Sequence, residues 1–134
     1  MSILVGYVPT PVGEAAVDTA IAEAKLRNEK LFVVNSAREG VLVDKSVASP
    51  DDLDRVEKAA SAAGVDVMLL SSTHREDLAS EILELAEEHD VSLIVIGLRQ
   101  RSQVGKFIMG SHAQRILLQA DRPVLAVKAK NPDF

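Results

Sequence analysis

The sequence has no cysteine and no tryptophan, and its aromatic residues are one tyrosine and three phenylalanines among 134 residues. Without cysteine there are no disulfides, thiolate nucleophiles or iron–sulfur clusters, which fits a reducing compartment. So few aromatic side chains cannot build a stacking platform, and a formal charge of −5 repels phosphate backbones. We therefore expect neither thiol redox chemistry nor binding to nucleic acid.

Long hydrophobic runs are also absent. The longest mostly apolar run, residues 91–98, is interrupted by Ser92 and Gly97 and is far shorter than the roughly 20 residues of a membrane-spanning helix. The first residues carry no basic leader and soon reach Pro9, which is unlike a secretory signal. These features predict a cytoplasmic protein with no membrane partner.

Five short runs of apolar, β-branched residues predict five strands, at residues 3–8, 31–36, 65–70, 92–96 and 123–128. The runs are apolar on both faces, which is typical of a parallel sheet covered by helices on both sides. Helical patterns fill the gaps between them. This alternation predicts one α/β domain over residues 1–134, an open parallel sheet that binds ligands beyond the carboxyl ends of its strands.

Capping residues and apolar periodicity predict where the helices lie. Thr10 followed by Pro11 predicts the start of the first helix, and Ser49 predicts the start of the second. The third helix has an apolar stripe that begins at Leu78, and the last is expected over about residues 111–120. We expect the glutamates of the third helix to lie on its outer face: Glu81, Glu84, Glu87 and Glu88.

The segment 97–111 leaves the fourth predicted strand, is rich in glycine and cations, and brings Gly110 and Ser111 to a helix start. Glycine lets backbone N–H groups approach a phosphate closely, and a helix N-terminus adds unsatisfied donors and partial positive charge. The pattern therefore predicts an anion site. A glycine-rich turn in which Ser111 is an ordinary N-cap fits the same residues.

The chain resembles the universal stress protein family over essentially its whole length. The resemblance rests on residues 3–5, on the strand 90–97, on Gly110-Ser111-His112 and on the segment 121–127. It implies a three-layer fold of the adenine-nucleotide alpha hydrolase-like type, with a five-stranded parallel sheet in the order 3-2-1-4-5 and helices on both faces. It also implies a cytoplasmic role in a stress response or in signalling, and a homodimer through the edge strand 123–128.

In the nucleotide-binding branch of that family, a loop of the pattern Gly, two residues, Gly, nine residues, Gly, Ser or Thr holds the phosphates of ATP. Gly97, Gly110 and Ser111 match this pattern, whereas Gln100 replaces the middle glycine. The resemblance further implies that residues flanking the loop contribute contacts: Ile96, Arg99 and His112.

The first strand turn departs from the family pattern as well. Gly6 and Val8 belong to a stretch that resembles this turn, but Val8 stands where the family has an aspartate near the adenosine. By its spacing, Ser36 corresponds to the position at which, in that family, the second strand presents its backbone to the adenine. One lost acceptor weakens binding by roughly tenfold to a hundredfold, so we still expect an adenine nucleotide, ATP with Mg²⁺, or a related phosphorylated ligand to bind.

Four other functions compete with nucleotide binding. A response-regulator receiver needs acids after strands one and three, where Val8 and Ser71 stand, and a flavodoxin-like protein needs aromatic residues around the flavin. An enzyme needs an acid–base pair, but His74, His89 and His112 have no metal-ligand spacing and no adjacent carboxylate in sequence, so we expect at most slow ATP hydrolysis.

The last competing function is a nucleotide-free dimer that acts through protein–protein interaction. The apolar edge strand 123–128 favours pairing with a second copy, unless the tail 129–134 covers it. The long loop 37–49 is expected either to close over a ligand or to be mobile. The sequence leaves both alternatives open.

Overall fold

The structure is a computed structural model, and it describes residues 1–8, 10–36, 50–72, 78–98 and 111–128. Strands and helices alternate along these residues. The strands are β1 (Ser2–Gly6), β2 (Lys30–Ser36), β3 (Val67–Ser72), β4 (Leu93–Leu98) and β5 (Val124–Lys128). The helices are α1 (Pro11–Arg27), α2 (Pro50–Ala62), α3 (Leu78–Glu88) and α4 (Ser111–Gln119).

All strand pairs of the sheet are parallel, and the strand order is β3-β2-β1-β4-β5. The central strand β1 pairs with β2 on one side and with β4 on the other, so that Ile3 is opposite both Leu31 and Leu93. This topology confirms the predicted fold class and strand order. Because β1 and β4 are neighbours whose following helices cover opposite faces, their carboxyl ends form the switch point of the sheet.

Two hydrophobic layers hold the helices on the sheet. Alternate residues of β1 point to opposite faces: Ile3 and Val5 pack with α1 and α2, whereas Leu4 packs with α3 and α4. These three side chains are completely buried. None of the helices in the described ranges is long and apolar enough to cross a membrane.

The boundaries of all five strands differ from the prediction by one or two residues, and hydrogen bonds explain the shift at two of them. β1 ends at Gly6 instead of Val8, because the carbonyl of Val8 accepts a hydrogen bond from the Thr10 amide at 2.8 Å and the chain turns there. β3 begins at Val67, because the amide of Val65 bonds to the carbonyl of Ala60 at 2.8 Å and closes the end of α2. In both cases an apolar residue that was predicted to belong to the strand lies in the adjoining turn.

The caps of the helices are partly as predicted. The Thr10 hydroxyl accepts a hydrogen bond from the Gly13 amide at 3.1 Å, which confirms Thr10 as the N-cap of α1. Helix α2 begins at Pro50, and the predicted cap Ser49 lies outside the described residues.

The expectation that Glu81 lies on the outer face of α3 is wrong. Only 2% of Glu81 is exposed, whereas Glu84, Glu87 and Glu88 are exposed. The physical reason is that α3 packs against α4 as well as against the sheet, so it is buried over a wider arc than a helix with one neighbour. Periodicity read from a single apolar stripe does not reveal the second buried flank.

Arg122 connects the end of α3 to the start of β5. Its Nη1 donates hydrogen bonds to the carbonyls of Ala86 at 2.7 Å and Val91 at 3.1 Å, and its Nε donates to the Asp121 carboxylate at 2.9 Å. The side chain is only 13% exposed. The Ala86 carbonyl, which also accepts from the Val91 amide at 3.1 Å, and the Val91 carbonyl thus both receive a charged donor between α3 and β4.

Candidate functional site

A cavity of about 120 Å³ opens at the switch point, between the carboxyl ends of β1 and β4. Crossover connections make each helix run back along the sheet, so the helix starts lie at the same edge as the strand ends. The lining residues accordingly come from two strand ends and three helix starts: Gly6, Val8, Thr10, Val12, Gly13, Leu78, Ile82, Ile96, Gly97, His112, Ala113 and Ile116.

The wall formed by the β1–α1 turn is tightly fixed. Besides the cap of Thr10 on Gly13, the Glu14 amide donates to the Thr10 carbonyl at 2.8 Å. A Cβ at Gly13 would lie 1.7 Å from the carbonyl oxygen of Val8, so only glycine fits at this helical position. The Val8 side chain is half-buried and contributes hydrocarbon where an acid would offer a hydrogen-bond acceptor.

The packing around Gly97 requires a glycine, independently of its predicted role in a phosphate-binding loop. A Cβ at Gly97 would lie 2.4 Å from Cγ1 of Val12 and 3.1 Å from the carbonyl oxygen of Val12. The missing side chain therefore lets the start of α1 approach β4 closely. This contact joins the two sides of the cavity, because Val12 follows β1 and Gly97 lies in β4.

The start of α4 forms the third side of the cavity. The helix begins at Ser111, and His112 and Ala113 in its first turn line the cavity together with Ile116 one turn later. The first amides of a helix have no partner within the helix, and the helix dipole adds partial positive charge there. An anionic group at this end of the cavity would therefore be stabilised.

The structure brings together half of the residues that the sequence singled out. Gly6, Val8, Ile96, Gly97 and His112 all line the cavity. Their contact with a ligand stays a prediction.

The remaining predicted residues are placed differently. Ser36 ends β2 opposite Ser72 of β3, and Ser111 is the first residue of α4. Four other predicted features lie outside the described residues: Arg99, Gln100, Gly110 and the loop 37–49. The same holds for His74, one of the three histidines considered above, and for the tail 129–134.

Sequence reasoning missed the contribution of α3. Leu78 begins the predicted apolar stripe of α3, but neither Leu78 nor Ile82 was predicted to line the cavity. The parallel topology carried the necessary information, because it places the first turn of every helix at the carboxyl edge of the sheet. A search of helix starts, in addition to loops, would have found both residues.

Most of the described cavity lining is hydrocarbon, with polar character from the Thr10 hydroxyl, the His112 imidazole and backbone groups. No cluster of three or more His, Cys, Asp or Glu side chains suited to a metal exists within the described ranges. Such a lining suits a flat or apolar group that is anchored by a few polar contacts. It offers no pair of carboxylates for acid–base chemistry among the residues that the structure describes.

A polar network lies directly behind the Val8 wall. Tyr7 is 2% exposed, its hydroxyl donates to Glu14 of α1, and Arg55 of α2 donates to the Tyr7 hydroxyl at 3.4 Å and to Glu14 at 3.1 Å. Burial raises the pKa of the Tyr7 hydroxyl, and the hydrogen bond and charge of Glu14 raise it further. The hydrogen bond to Tyr7 and the charge of Glu14 also raise the pKa of Arg55, so this network keeps the phenol protonated and the guanidinium charged.

Comparison with known proteins decides the family. The model of the universal stress protein family matches residues 1–128. The chain belongs to this family. A curated universal stress protein from Mycolicibacterium smegmatis is 40% identical over 126 residues, which cover 94% of this chain and 96% of the relative.

Solved universal stress proteins share the fold. One from Archaeoglobus fulgidus superposes with a TM-score of 0.80 at 29% identity and covers 96% of this chain and 98% of its own. Another from Archaeoglobus fulgidus, solved in complex with dAMP, has a TM-score of 0.72 at 24% identity and covers 96% and 98%. The match over residues 1–128 and the relative at 40% identity confirm the predicted family membership, and these structures confirm the fold.

Proposed function

We propose that this universal stress protein binds an adenine nucleotide, ATP together with Mg²⁺, and uses it in a cytoplasmic stress response or in signalling. The observation that carries the proposal is the cavity at the switch point, where β1 and β4 end beside the start of α4. A related protein of the same fold forms a complex with dAMP, which supports an adenine nucleotide as the ligand class.

The cavity fits parts of a nucleotide with different chemistry. Its apolar walls, which include Val8, Ile82 and Ile96, suit a flat or hydrocarbon group, whereas the first turn of α4 suits phosphate. In this proposal Gly97, Gly110 and Ser111 surround the phosphates, as the family pattern implies, and the proposed phosphate contacts include Arg99, Gln100 and His112. The backbone of Gly6 and Ser36 faces the nucleoside.

In this proposal Mg²⁺ binds together with the phosphates of ATP. The described lining has no carboxylate that could hold the ion directly, and Mg²⁺ commonly keeps several waters and binds through substrate phosphates. We therefore expect Mg²⁺ to change the affinity for ATP but to have no measurable affinity for the protein alone.

Calorimetric titration of nucleotide-stripped protein with ATP tests the proposal, after mass spectrometry has identified any copurified ligand. We expect micromolar binding by the wild type. Ala113→Leu fills the cavity and should weaken binding by at least about tenfold, equivalent to about 1.4 kcal/mol. Gln114→Leu places the same leucine side chain at the next, exposed position of α4 and should leave binding unchanged.

Two results would contradict nucleotide binding at this cavity. One is the absence of binding heat with fully stripped wild-type protein that is shown to be folded. The other is equal affinity for ATP in the Ala113→Leu and wild-type proteins, since a ligand in the cavity cannot share its space with a leucine side chain.

The second candidate function is a homodimer that acts through its surface, and the position of β5 favours it. This strand lies at the edge of the sheet, and its side chains Val124 to Val127 are only half-buried. An apolar edge strand exposes backbone groups that pair readily with a second copy. Dimerisation through β5 is compatible with nucleotide binding, and it is the remaining function if ATP does not bind.

The molar mass in solution tests the dimer. Light scattering coupled to size exclusion should give twice the 14.4 kDa mass of one chain, and amide exchange should show β5 protected on both sides. A concentration-independent mass of 14.4 kDa would contradict the dimer.

A further inference from the structure

Tyr7 lies at the junction of the sheet with two helices. Its amide donates to the carbonyl of Val34 at 2.9 Å, and its carbonyl accepts from the side chain of Asn35, a buried residue of β2, at 3.3 Å. The backbone of Tyr7 thus extends the pairing of β1 with β2 by one residue beyond the end of β1. The next residue, Val8, is the one that lines the cavity.

The side chain of Tyr7 contacts the same junction between the sheet, α1 and α2. The ring is buried among the residues of α1 and α2, and its hydroxyl meets Glu14 and Arg55 at the surface. We refer to Tyr7, Glu14 and Arg55 as the tyrosine clasp. Because Arg55 also pairs with Asp52 at 3.1 Å, the clasp ties the first turns of α1 and α2 to the end of β1.

The clasp and the cavity wall share the same short stretch of backbone. Residues 7 and 14 belong to the clasp, whereas Val8, Thr10, Val12 and Gly13 between them line the cavity. The stretch has little freedom of its own, since the Val8 carbonyl accepts from Thr10 and lies against Gly13. Movement at Tyr7 or Glu14 is therefore passed to the wall.

We propose that Tyr7, held by Glu14 and Arg55, is a positioning residue that fixes the β1–α1 turn as a wall of the cavity. This inference rests on the proposed nucleotide binding. It assigns Tyr7 and Arg55 an indirect effect on ligand affinity, because neither residue lines the cavity. A wall that is fixed before binding lowers the entropy lost when the ligand binds.

Tyr7→Phe tests the clasp because it removes only the hydroxyl. We expect the dissociation constant for ATP to rise by about three- to tenfold at a temperature where the variant is fully folded. Arg55→Ala should behave in the same way, and Arg55→Lys should recover part of the affinity, since a lysine keeps the charge beside Glu14. Lys58→Ala is the matched control, because Lys58 pairs only with Asp54 in the described contacts of the same helix, at 3.0 Å.

Amide hydrogen exchange without nucleotide gives an independent readout. The amides of Thr10, Gly13 and Glu14 report on the turn, and Tyr7→Phe should speed their exchange by about tenfold relative to Lys58→Ala, because tenfold corresponds to about 1.4 kcal/mol of local opening. Equal exchange in the two variants would overturn the clasp. A purely structural role would lower the melting temperature of Tyr7→Phe but leave its affinity for ATP unchanged, which would overturn the positioning role.

The two readouts separate this inference from the proposed function. If wild-type protein binds no ATP, the proposed function fails and with it the effect on affinity, while the exchange rates still decide whether the clasp holds the turn. If wild-type protein binds ATP and Tyr7→Phe binds it equally well, only the positioning role fails.

Discussion

Glycines at the carboxyl edge of the sheet differ in what surrounds them. A Cβ at Gly97 would meet Cγ1 of Val12 at 2.4 Å and its carbonyl oxygen at 3.1 Å, and the backbone of α1 cannot yield without moving the helix. A Cβ at Gly6 would meet only Cδ1 of Ile82, at 2.9 Å, which is the far end of a flexible side chain. The two positions therefore differ in how strictly they require glycine.

The first prediction compares these two glycines by urea unfolding. We expect Gly97→Ala to lower the free energy of unfolding by about 1–3 kcal/mol, as overpacking in a filled core does. Gly6→Ala should cost less, because Ile82 can adopt another rotamer. A larger loss for Gly6→Ala than for Gly97→Ala would contradict the packing that we describe.

The second prediction concerns Tyr7 at alkaline pH. Burial and the neighbouring Glu14 raise the pKa of its hydroxyl in the folded protein, whereas a tyrosine in the unfolded chain titrates near about 10. A raised folded-state pKa gives stability that is fully present below the unfolded pKa and is lost as the pH rises towards the folded value. Ionisation of Tyr7 in the unfolded chain should therefore destabilise the wild type above pH of about 10, whereas Tyr7→Phe has no hydroxyl to ionise.

Paired unfolding experiments at several pH values check this effect. The difference in free energy of unfolding between wild type and Tyr7→Phe should be constant below pH of about 9 and then shift against the wild type by up to about 1.4 kcal/mol per pH unit. A difference that stays constant through pH of about 11 would contradict a protonated, clasped tyrosine.

At the scale of elements, Arg122 joins α3, β4 and β5. The guanidinium binds the carbonyls of Ala86 and Val91, which end α3 and precede β4, and it belongs to the turn that leads into β5. Hydrogen bonds from a charged group to buried carbonyls are stronger than neutral ones. Arg122 therefore fixes the edge strand through which we propose dimerisation.

The third prediction removes these hydrogen bonds. Arg122→Met keeps the aliphatic stem but leaves both carbonyls without the guanidinium, and we expect a loss of about 1.5–3 kcal/mol in chemical unfolding. The control Arg27→Met removes an exposed pair with Glu23 at 3.7 Å, which should cost less than about 1 kcal/mol. Equal losses in the two variants would contradict the role of Arg122.

At the scale of the molecule, the fold was predictable because its determinants are local and repeated. Each strand is a run of β-branched residues, and caps such as Thr10 mark helix starts, so the element order follows directly. The periodicity predicted the wrong side of α3 for Glu81, because the contact of α3 with α4 is a tertiary feature. The prediction also placed the end of β1 too late, because Tyr7 and Val8 are residue types that are typical of strands although the chain turns there.

The candidate site was predictable only in part. Gly6, Val8, Ile96, Gly97 and His112 were singled out and line one cavity, because parallel strands end at one edge. The tyrosine clasp was not foreseen. Its members are separated by 7 and 41 residues along the chain, and nothing in their sequence neighbourhoods indicates that they meet.

The most direct test of the central claim is methyl NMR of the isoleucines during titration with ATP and Mg²⁺. Ile82, Ile96 and Ile116 line the cavity, whereas Ile3 and Ile21 pack on the opposite face of the sheet. An adenine nucleotide in the cavity should shift the δ1 methyl signals of the first three and give nuclear Overhauser contacts to them, with Ile3 and Ile21 unchanged. Shifts confined to Ile3 and Ile21, or no shifts at saturating ATP, would contradict nucleotide binding at this cavity.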